Sequence, residues 1–275
     1  MKAMILEQLC DLKKNKFPLT YDEVPDPVPE KNELLLRVTA CGGCHTELDD
    51  IEGRTPPPEL PMILGHQVVG EVCGLGSGAG RYKKGERVGV AWIYSACGQC
   101  GFCQSGHENL CEHFRATGRD AHGGYAEYMT VSENFAFKIP IAHTDTEAAP
   151  LLCAGAIGYR SMRLAELQNG QTLGLTGFGA SAHLVMKMAA YRYPKTKIFV
   201  FARSEKEQMF ARELGAFWAG DTEDTSPEKL DAVIDTTPAW KPVVEALGNL
   251  NPNGRLVINA IRKETSDQSY LMNLD

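Results

Sequence analysis

The two halves of the chain differ in how hydrophobic and polar positions repeat. In the first half, short runs that alternate or stay apolar lie between glycine and proline signals, at residues 1–6, 33–39, 68–74, 85–90 and 123–129. A period of two is typical of strands, and closely spaced turn signals favour hairpins. Three prolines directly after Thr55 predict a loop. We therefore expect an irregular, mostly antiparallel β domain over residues 1–154.

The period changes near residue 155. A helical pattern covers residues 147–167. Short apolar runs then follow at residues 172–176, 197–202, 232–235 and 255–259, and helical patterns separate them at residues 181–191, 204–214 and 241–250. Strands that alternate with helices predict βαβ units around a parallel sheet. The expected second domain, residues 155–275, is therefore a doubly wound α/β domain.

Composition narrows the class of protein only a little. The chain has 275 residues, 43% hydrophobic and 23% charged, which is ordinary for a globular protein. A net charge of -7 without an acidic or basic block argues against nucleic acid or an anionic membrane surface as the main partner. The start of the chain has no cleavable apolar core, and the longest nearly apolar stretch, residues 148–159, is too short to span a bilayer. We expect a soluble, cytoplasmic protein that acts on a small molecule.

Four of the nine cysteines are clustered as Cys97-x2-Cys100-x2-Cys103-x7-Cys111. Thiolates at this spacing can turn onto one ion, and four sulfur ligands leave no open position, so the cluster predicts a structural zinc site. Three alternatives remain at this point. The cysteines could be reduced and unconnected, they could form disulfides in an oxidising compartment, or they could hold an iron–sulfur cluster, which would need an electron-transfer partner.

A second candidate metal site combines residues that are far apart in sequence. Cys44 follows a predicted strand, His66 precedes the next one, and Cys153 lies in an apolar segment. Two thiolates and one imidazole form a ligand set that leaves a fourth zinc position for water or substrate. Spacing alone does not single out this set, because a lone cysteine or histidine at such positions is usually a packing residue.

The motifs, taken in order, resemble the zinc-containing medium-chain alcohol dehydrogenases. The resemblance runs from the N-terminus to about Asn259 and rests on Gly43-Cys44-His45-Thr46, Gly65-His66, the four-cysteine segment and Leu151-Leu152-Cys153-Ala154-Gly155. It implies a GroES-like catalytic domain and a Rossmann domain, and it implies oxidation of an alcohol or reduction of an aldehyde with a nicotinamide cofactor. It also implies two zinc ions per chain, a catalytic one on Cys44, His66 and Cys153 and a structural one on the four clustered cysteines.

Residues around the catalytic set follow the family in part. The resemblance assigns Thr46 the first proton step, although a hydroxyl here can also be an ordinary turn residue. Asp49 stands where family members often carry a relay histidine, and a carboxylate can also carry a proton. Glu47 replaces an aspartate behind the zinc histidine, where it could accept from the His66 ring and fix its tautomer. Gln67 replaces a glutamate and removes one negative charge near the metal.

Residues 172–182 predict a nucleotide-binding turn, because a strand leads into a Gly-x-Gly-x-x-Ala motif and a helix. Gly177 allows the tight turn, Gly179 lets a pyrophosphate approach the backbone amides, and Ala182 permits close packing of helix on strand. The expected cofactor contacts are His45, Gly177, Gly179, Ala180, Ala182, Ala202, Arg203, Ser204, Thr236 and Asn259.

The end of the next predicted strand bears on cofactor choice. Ala202 takes the place of the acid that binds the adenosine ribose of NAD, and Arg203 and Ser204 can pair with a 2′-phosphate. This pattern favours NADP over NAD. The alternative is that Arg203 stacks on the adenine and either cofactor binds.

Two further features concern the substrate and the end of the chain. Resemblance to yeast-type enzymes places Trp92 in the substrate pocket, where it would favour short primary alcohols, unless it is a core residue. The chain ends without the family's sixth strand and its return to the catalytic domain, so we expect a missing C-terminal segment. The resemblance implies a homo-oligomer, whereas the residues of this chain alone predict no oligomeric state. The rival functions are an enone or quinone reductase of the same fold and a weakly active or nonenzymatic relative.

Overall fold

Antiparallel sheets form the first of two units, Met1–Cys153, in the computed structural model, which describes residues 1–266. Its elements are β1 (Lys2–Leu6), β2 (Thr20–Glu23), β3 (Glu33–Gly42), α1 (His45–Ile51), β4 (Met62–Ile63), β5 (Gln67–Leu75), β6 (Arg87–Val90), β7 (Ile93–Ser95), α2 (Gly101–Gln104), β8 (Arg115–Ala116), β9 (Tyr128–Ser132), β10 (Ala136–Lys138) and α3 (Asp145–Ala148). Single 3-10 turns cover Glu108–Leu110, Glu133–Phe135 and Ala149–Leu152.

The main sheet of this unit has the order β10-β6-β5-β3-β9, and every neighbouring pair is antiparallel. Leu34 and Leu36 on β3 point into a core that Val68 and Val72 of β5 also enter, and all four side chains are fully buried. Smaller sheets, β2-β1-β4 and β7-β8, complete the unit. Since β3 leads into α1 and β5 begins directly after His66, this sheet places two of the candidate ligands at one end of neighbouring strands.

The second unit, Ala154–Asp275, contains a parallel sheet. Its elements are α4 (Ala154–Ala165), β11 (Thr172–Thr176), α5 (Ala180–Arg192), β12 (Lys197–Phe201), α6 (Glu205–Glu213), β13 (Trp218–Gly220), β14 (Leu230–Asp235), α7 (Lys241–Asn249) and β15 (Leu250–Ile258). The strand order is β13-β12-β11-β14-β15, with every pair parallel. An antiparallel β domain followed by a parallel α/β domain confirms the predicted fold class.

The helix predicted over residues 147–167 is wrong in one respect, because the structure interrupts it. Helix α3 passes into the Ala149–Leu152 turn, and α4 begins only after Cys153. Pro150 has no N–H for a helical hydrogen bond, and Cys153 has φ -125° and ψ -76°, outside helical geometry. Cys153 is therefore presented from a break between helices. Among residues 1–266, no helix is both long and apolar enough to cross a membrane.

Candidate metal centres and nucleotide turn

Three separate segments of the first unit bring two thiols and one imidazole together. The ligand atoms of Cys44, His66 and Cys153 all lie within 4.8 Å of one another. Sγ of Cys44 is 3.6 Å from Nε2 of His66. Zinc bonds of about 2.3 Å to sulfur and about 2.0 Å to nitrogen, at the tetrahedral angle, separate the donor atoms by about 3.5 Å. The spacing and the donor types therefore fit a zinc ion with three protein ligands.

The start of α1 orients the sulfur of Cys44. Cys44 is the N-cap residue, and its Sγ accepts a hydrogen bond from the backbone nitrogen of Thr46 at 3.3 Å. The carboxylate of Glu47 in turn accepts from the backbone nitrogen of Cys44 at 2.8 Å. These reciprocal contacts form a capping box with a cysteine in the capping position. The sulfur is fixed by the same contacts that begin the helix.

His66 is held from both sides. Its Nδ1 lies 2.6 Å from Oε1 of Glu47, and the side chains are 2% and 5% exposed. The preceding Gly65 has φ +98°, and a Cβ there would come within 3 Å of the Tyr125 ring and of Sγ of Cys41. Glycine is therefore required at this position. With Nδ1 directed at Glu47, Nε2 is the ring atom that faces Cys44.

Electrostatics favour a cation at this cluster. A hydrogen bond from Cys153 is the main cause that lowers the pKa of Cys44 to about 3, against the opposing effect of burial, and His66 lowers it further. The same thiol–thiolate contact raises the pKa of Cys153 well above its ordinary range. Burial lowers the pKa of His66, but hydrogen bonds to Cys44 and Glu47 outweigh it and raise the pKa to about 9. These shifts favour the thiolate of Cys44, the form that binds metal, whereas His66 must give up its proton at Nε2 to become a ligand.

Asp49, the residue in the relay position, forms an ion pair with Arg54. It also lies 3.9 Å from Nε2 of His45, one helical turn earlier on α1. The side chain of Asp49 is 12% exposed, whereas that of His45 is 65% exposed. Sequence reasoning missed Arg54. A basic residue five positions after the aspartate was the only signal for it.

Trp92 lies between β6 and β7 and contacts the candidate zinc ligand itself. Its ring packs edge-on against His66, with the centroids 5.0 Å apart and the planes at 88°. The guanidinium of Arg119 lies 5.7 Å from the centre of the indole. Gln67, the first residue of β5, is buried and packs against Gly42. The structure therefore puts Trp92 beside His66, one of the candidate metal ligands.

A buried carboxylate near this cluster was also missed. Asp50 is 2% exposed, and Oδ1 accepts a hydrogen bond from Oγ1 of Thr55 at 2.7 Å. Burial raises the pKa of Asp50 to about 6, with Glu47 adding to the rise, while Thr55 and Arg119 oppose it. Nothing in the local pattern distinguishes Asp50 from its neighbour Asp49.

The four clustered cysteines form a second compact ligand set between β7 and β8. The sulfur atoms of Cys97, Cys100, Cys103 and Cys111 lie within 4.8 Å of one another. Those of Cys97 and Cys103 are 3.9 Å apart, close to the separation of about 3.8 Å in a tetrahedral zinc–sulfur site. Hydrogen bonds from the backbone at Gln99 and Cys100 lower the pKa of Cys97 to about 6. This distance is too long for a disulfide between Cys97 and Cys103, and none of the nine cysteines forms a disulfide.

In the second unit, the turn after β11 leaves open space over a helix N-terminus. Gly177 has φ +74°, and its N–H donates to the carbonyl of Phe201 at 2.8 Å. Gly179 caps α5, and a Cβ there would meet nothing within 4 Å. Ala180 is exposed at the first position of the helix, whereas Ala182 is fully buried in the core. The turn therefore has room for a phosphate group next to free backbone N–H groups.

A cavity of about 710 Å³ opens directly after β12. It is lined by Arg203, Ser204, Lys206, Glu207 and Phe210. Ala202 is 1% exposed and belongs to the core, so it does not line this cavity. At the ends of the next strands, Oγ1 of Thr236 donates to the carbonyl of Thr176 at 2.9 Å. Nδ2 of Asn259 is buried and has no hydrogen-bond partner among the residues described.

The match to known proteins agrees with this geometry. Residues 30–141 match the model of the alcohol dehydrogenase GroES-like domain. AdhA of Mycobacterium tuberculosis, a probable alcohol dehydrogenase, is 44% identical over 91% of this chain, which covers 73% of that protein. The chain belongs to the zinc-containing medium-chain alcohol dehydrogenase family.

Other relatives agree with this membership. An alcohol dehydrogenase of Geobacillus stearothermophilus is 35% identical over 94% of the chain and 76% of its own length. A short chain alcohol dehydrogenase (rspB) of Escherichia coli CFT073, complexed with NADH, superposes with a TM-score of 0.83 at 25% identity, over 98% of this chain and 79% of that one. The predicted family is confirmed, and so is the prediction of an NAD(P)-linked enzyme of the alcohol dehydrogenase type.

Proposed function

We propose that this chain transfers a hydride between a short-chain primary alcohol or aldehyde and a nicotinamide cofactor, with one catalytic and one structural zinc ion. The observation that carries the proposal is the convergence of Cys44, His66 and Cys153, because three ligands leave a fourth position for the substrate. Zinc held there would act as a Lewis acid on the substrate oxygen and lower the pKa of a bound O–H group.

The protein's own residues would handle the proton. Thr46 is buried in the first turn of α1, and its backbone nitrogen donates to Sγ of Cys44, which places this residue at the ligand set. We assign it the first transfer, at Oγ1. Asp49 lies beside the exposed His45 on the same helix, so the proton reaches solvent along this face. Arg54 keeps the Asp49 carboxylate oriented through their ion pair.

Glu47 and Gln67 would tune the metal rather than react. Glu47 fixes the ring of His66 through Nδ1 and the backbone of Cys44 through its other oxygen. Such partners orient ligands and raise their basicity. Gln67 is neutral where a glutamate would place a negative charge near His66, and zinc bound there would be a stronger Lewis acid for that reason.

Trp92 supports the choice of short substrates. Because its indole packs edge-on against His66, it occupies volume beside the ligand set. An indole there narrows the space for the carbon chain of the alcohol. Bulky aromatic alcohols are therefore expected to be poorer substrates than ethanol or butanol.

For the cofactor, we propose NADP as the preferred dinucleotide, with NAD also accepted. The nicotinamide ring would accept or donate the hydride. Open space at Gly179 suits the pyrophosphate, and exposed Arg203 and Ser204 at the 710 Å³ cavity suit a 2′-phosphate. The unpartnered Nδ2 of Asn259 offers a donor at the end of β15.

Metal analysis combined with turnover tests the whole proposal. The purified chain is expected to contain about two zinc ions, and to oxidise ethanol and reduce acetaldehyde with NADP faster than with NAD. An enone or quinone reductase of the same fold would reduce enones without needing zinc. Visible absorption would instead identify an iron–sulfur cluster on the four clustered cysteines.

The thiolate ligands also lead us to propose a reducing compartment such as the cytoplasm, which cell fractionation tests.

A further inference from the structure

A buried ion pair lies at the carboxyl edge of the parallel sheet, outside the motifs considered so far. Asp235, the last residue of β14, is 0% exposed, and the side chain of Lys263 is 6% exposed. Nζ of Lys263 contacts Oδ2 of Asp235 and donates to the carbonyls of Thr237, at 2.8 Å, and Ala239, at 3.0 Å. The three donors of the ammonium therefore have three acceptors.

The other oxygen of Asp235 is equally engaged. Oδ1 accepts from Oγ1 of Thr176 at 2.6 Å and from Oγ1 of Thr237 at 2.7 Å. Thr176 ends β11 and directly precedes Gly177. A Cβ at Gly177 would lie 2.9 Å from Cγ2 of Thr237, so the glycine turn rests against this threonine. Asp235 thus bonds both to the residue that precedes the turn and to the threonine against which the turn packs.

The segment after β15 is attached at the same place. The backbone nitrogen of Asn259 donates to the carbonyl of Asp235 at 2.8 Å, and that of Glu264 donates to the carbonyl of Pro238 at 2.7 Å. Lys263 lies between these two points and supplies the only cation in contact with Asp235 among residues 1–266. A buried ion pair is weak grounds for a stabilising role, because desolvation costs offset the attraction. The hydrogen bonds that Asp235 accepts from Thr176 and Thr237, which border the turn, point to a different role for this ion pair.

We infer that Lys263 is a positioning residue for dinucleotide binding. Acting through Asp235, it holds Thr176 and Thr237 in the arrangement that shapes the Gly177–Gly179 turn for a pyrophosphate. This inference rests on the proposed function, since it requires that the turn receives a dinucleotide. It adds a residue near the end of the described chain that touches neither the nucleotide motif nor the metal ligands.

The test compares two ligands that differ in the pyrophosphate. In Lys263→Met, the dissociation constant for NADP is expected to rise about tenfold, within the range that networks of packed residues transmit. Adenosine 2′,5′-bisphosphate lacks the pyrophosphate, and its affinity is expected to stay within about twofold of wild type, as measured by calorimetry. Amide exchange at Thr176 to Phe178 should become faster. Lys197→Met is the matched control, because Lys197 pairs with Glu228 at the amino end of the same sheet.

A double variant separates positioning from stability. Asp235→Asn with Lys263→Met removes both charges, so Tm should recover toward wild type while NADP affinity stays weakened. If NADP affinity recovers together with Tm in the double variant, the inference is overturned. It is also overturned if Lys263→Met loses the same factor in affinity for NADP and for adenosine 2′,5′-bisphosphate. If Lys263→Met does not fold, the double variant carries the same comparison. A wild-type chain that binds no dinucleotide would instead refute the proposed function.

Discussion

Glu47 places one carboxylate oxygen 2.6 Å from Nδ1 of His66 and uses the other to accept a hydrogen bond from the backbone nitrogen of Cys44. One side chain therefore orients two of the three candidate ligands. The arrangement depends on both the length and the charge of the side chain, since glutamate reaches one bond further than the family's aspartate.

Glu47→Gln tests this relationship. The amide keeps the size of the side chain but loses the charge that faces the imidazole, and loss of such a partner lowers metal affinity by about 10- to 100-fold. Competition with a chelator measures the effect on the site of Cys44, His66 and Cys153. Glu59→Gln changes an exposed glutamate in the same unit and serves as the control. Unchanged zinc affinity in Glu47→Gln would mean that the contact is incidental.

The two ligand sets should separate in function. Cys44→Ser is expected to abolish turnover while the fold survives, because it removes a ligand of the three-ligand set. Cys100→Ser should lose about half the zinc and lower Tm, because a four-sulfur site contributes folding energy. Zinc content and thermal unfolding check both variants, with Cys73→Ser, outside both sets, as the control. An active Cys44→Ser enzyme with full zinc would refute the assignment of the three-ligand site.

Arg203→Ala tests the choice of dinucleotide. Removing a charged partner of the 2′-phosphate is expected to lower kcat/KM for NADP about tenfold or more and to leave NAD little changed. Lys187→Ala is the control, since Lys187 is exposed on α5 of the same unit and does not line this cavity. A new acid at Ala202 would be a less direct test, because that side chain is buried in the core. If the ratio of kcat/KM for NADP to kcat/KM for NAD is the same in Arg203→Ala as in wild type, the guanidinium does not contact the 2′-phosphate.

How much the sequence could predict depends on how local each feature is. Strand Thr172–Thr176 has the bounds that its apolar run predicts, because burial on both faces gives a continuous hydrophobic signal. The strand at Trp218–Gly220 was missed, since three residues are too short to show a period. Spacing alone pointed to the four-cysteine set, whereas the set with Cys153 needed a family resemblance, because its members are brought together only by the tertiary fold.

Contacts between polar side chains were the least predictable. The pairing of Asp235 with Lys263 spans 28 residues and leaves no periodic trace. Such features follow from packing and hydrogen-bond geometry and not from local propensity.

The last prediction concerns Asp50, a carboxyl group that is 2% exposed. Burial raises its pKa from 3.8 to about 6, so folding disfavours the charged form. The unfolded chain therefore ionises first as the pH rises, and wild type loses stability between about pH 4 and pH 6, with no further loss from this group above that range. Asp50→Asn keeps an acceptor for Thr55 and carries no charge.

This variant should consequently be more stable than wild type at pH 8, by up to about 3 kcal/mol, and the advantage should disappear near pH 4. Urea unfolding of both zinc-loaded proteins at several pH values measures the difference, from which the shared pH dependence of metal binding cancels. Asp22→Asn, at an exposed position of β2, should give no such pH-dependent difference. A variant less stable than wild type at pH 8 would instead mean that Arg119 and Thr55 stabilise the ionised carboxylate more than burial destabilises it, so that the pKa of Asp50 is not raised by folding.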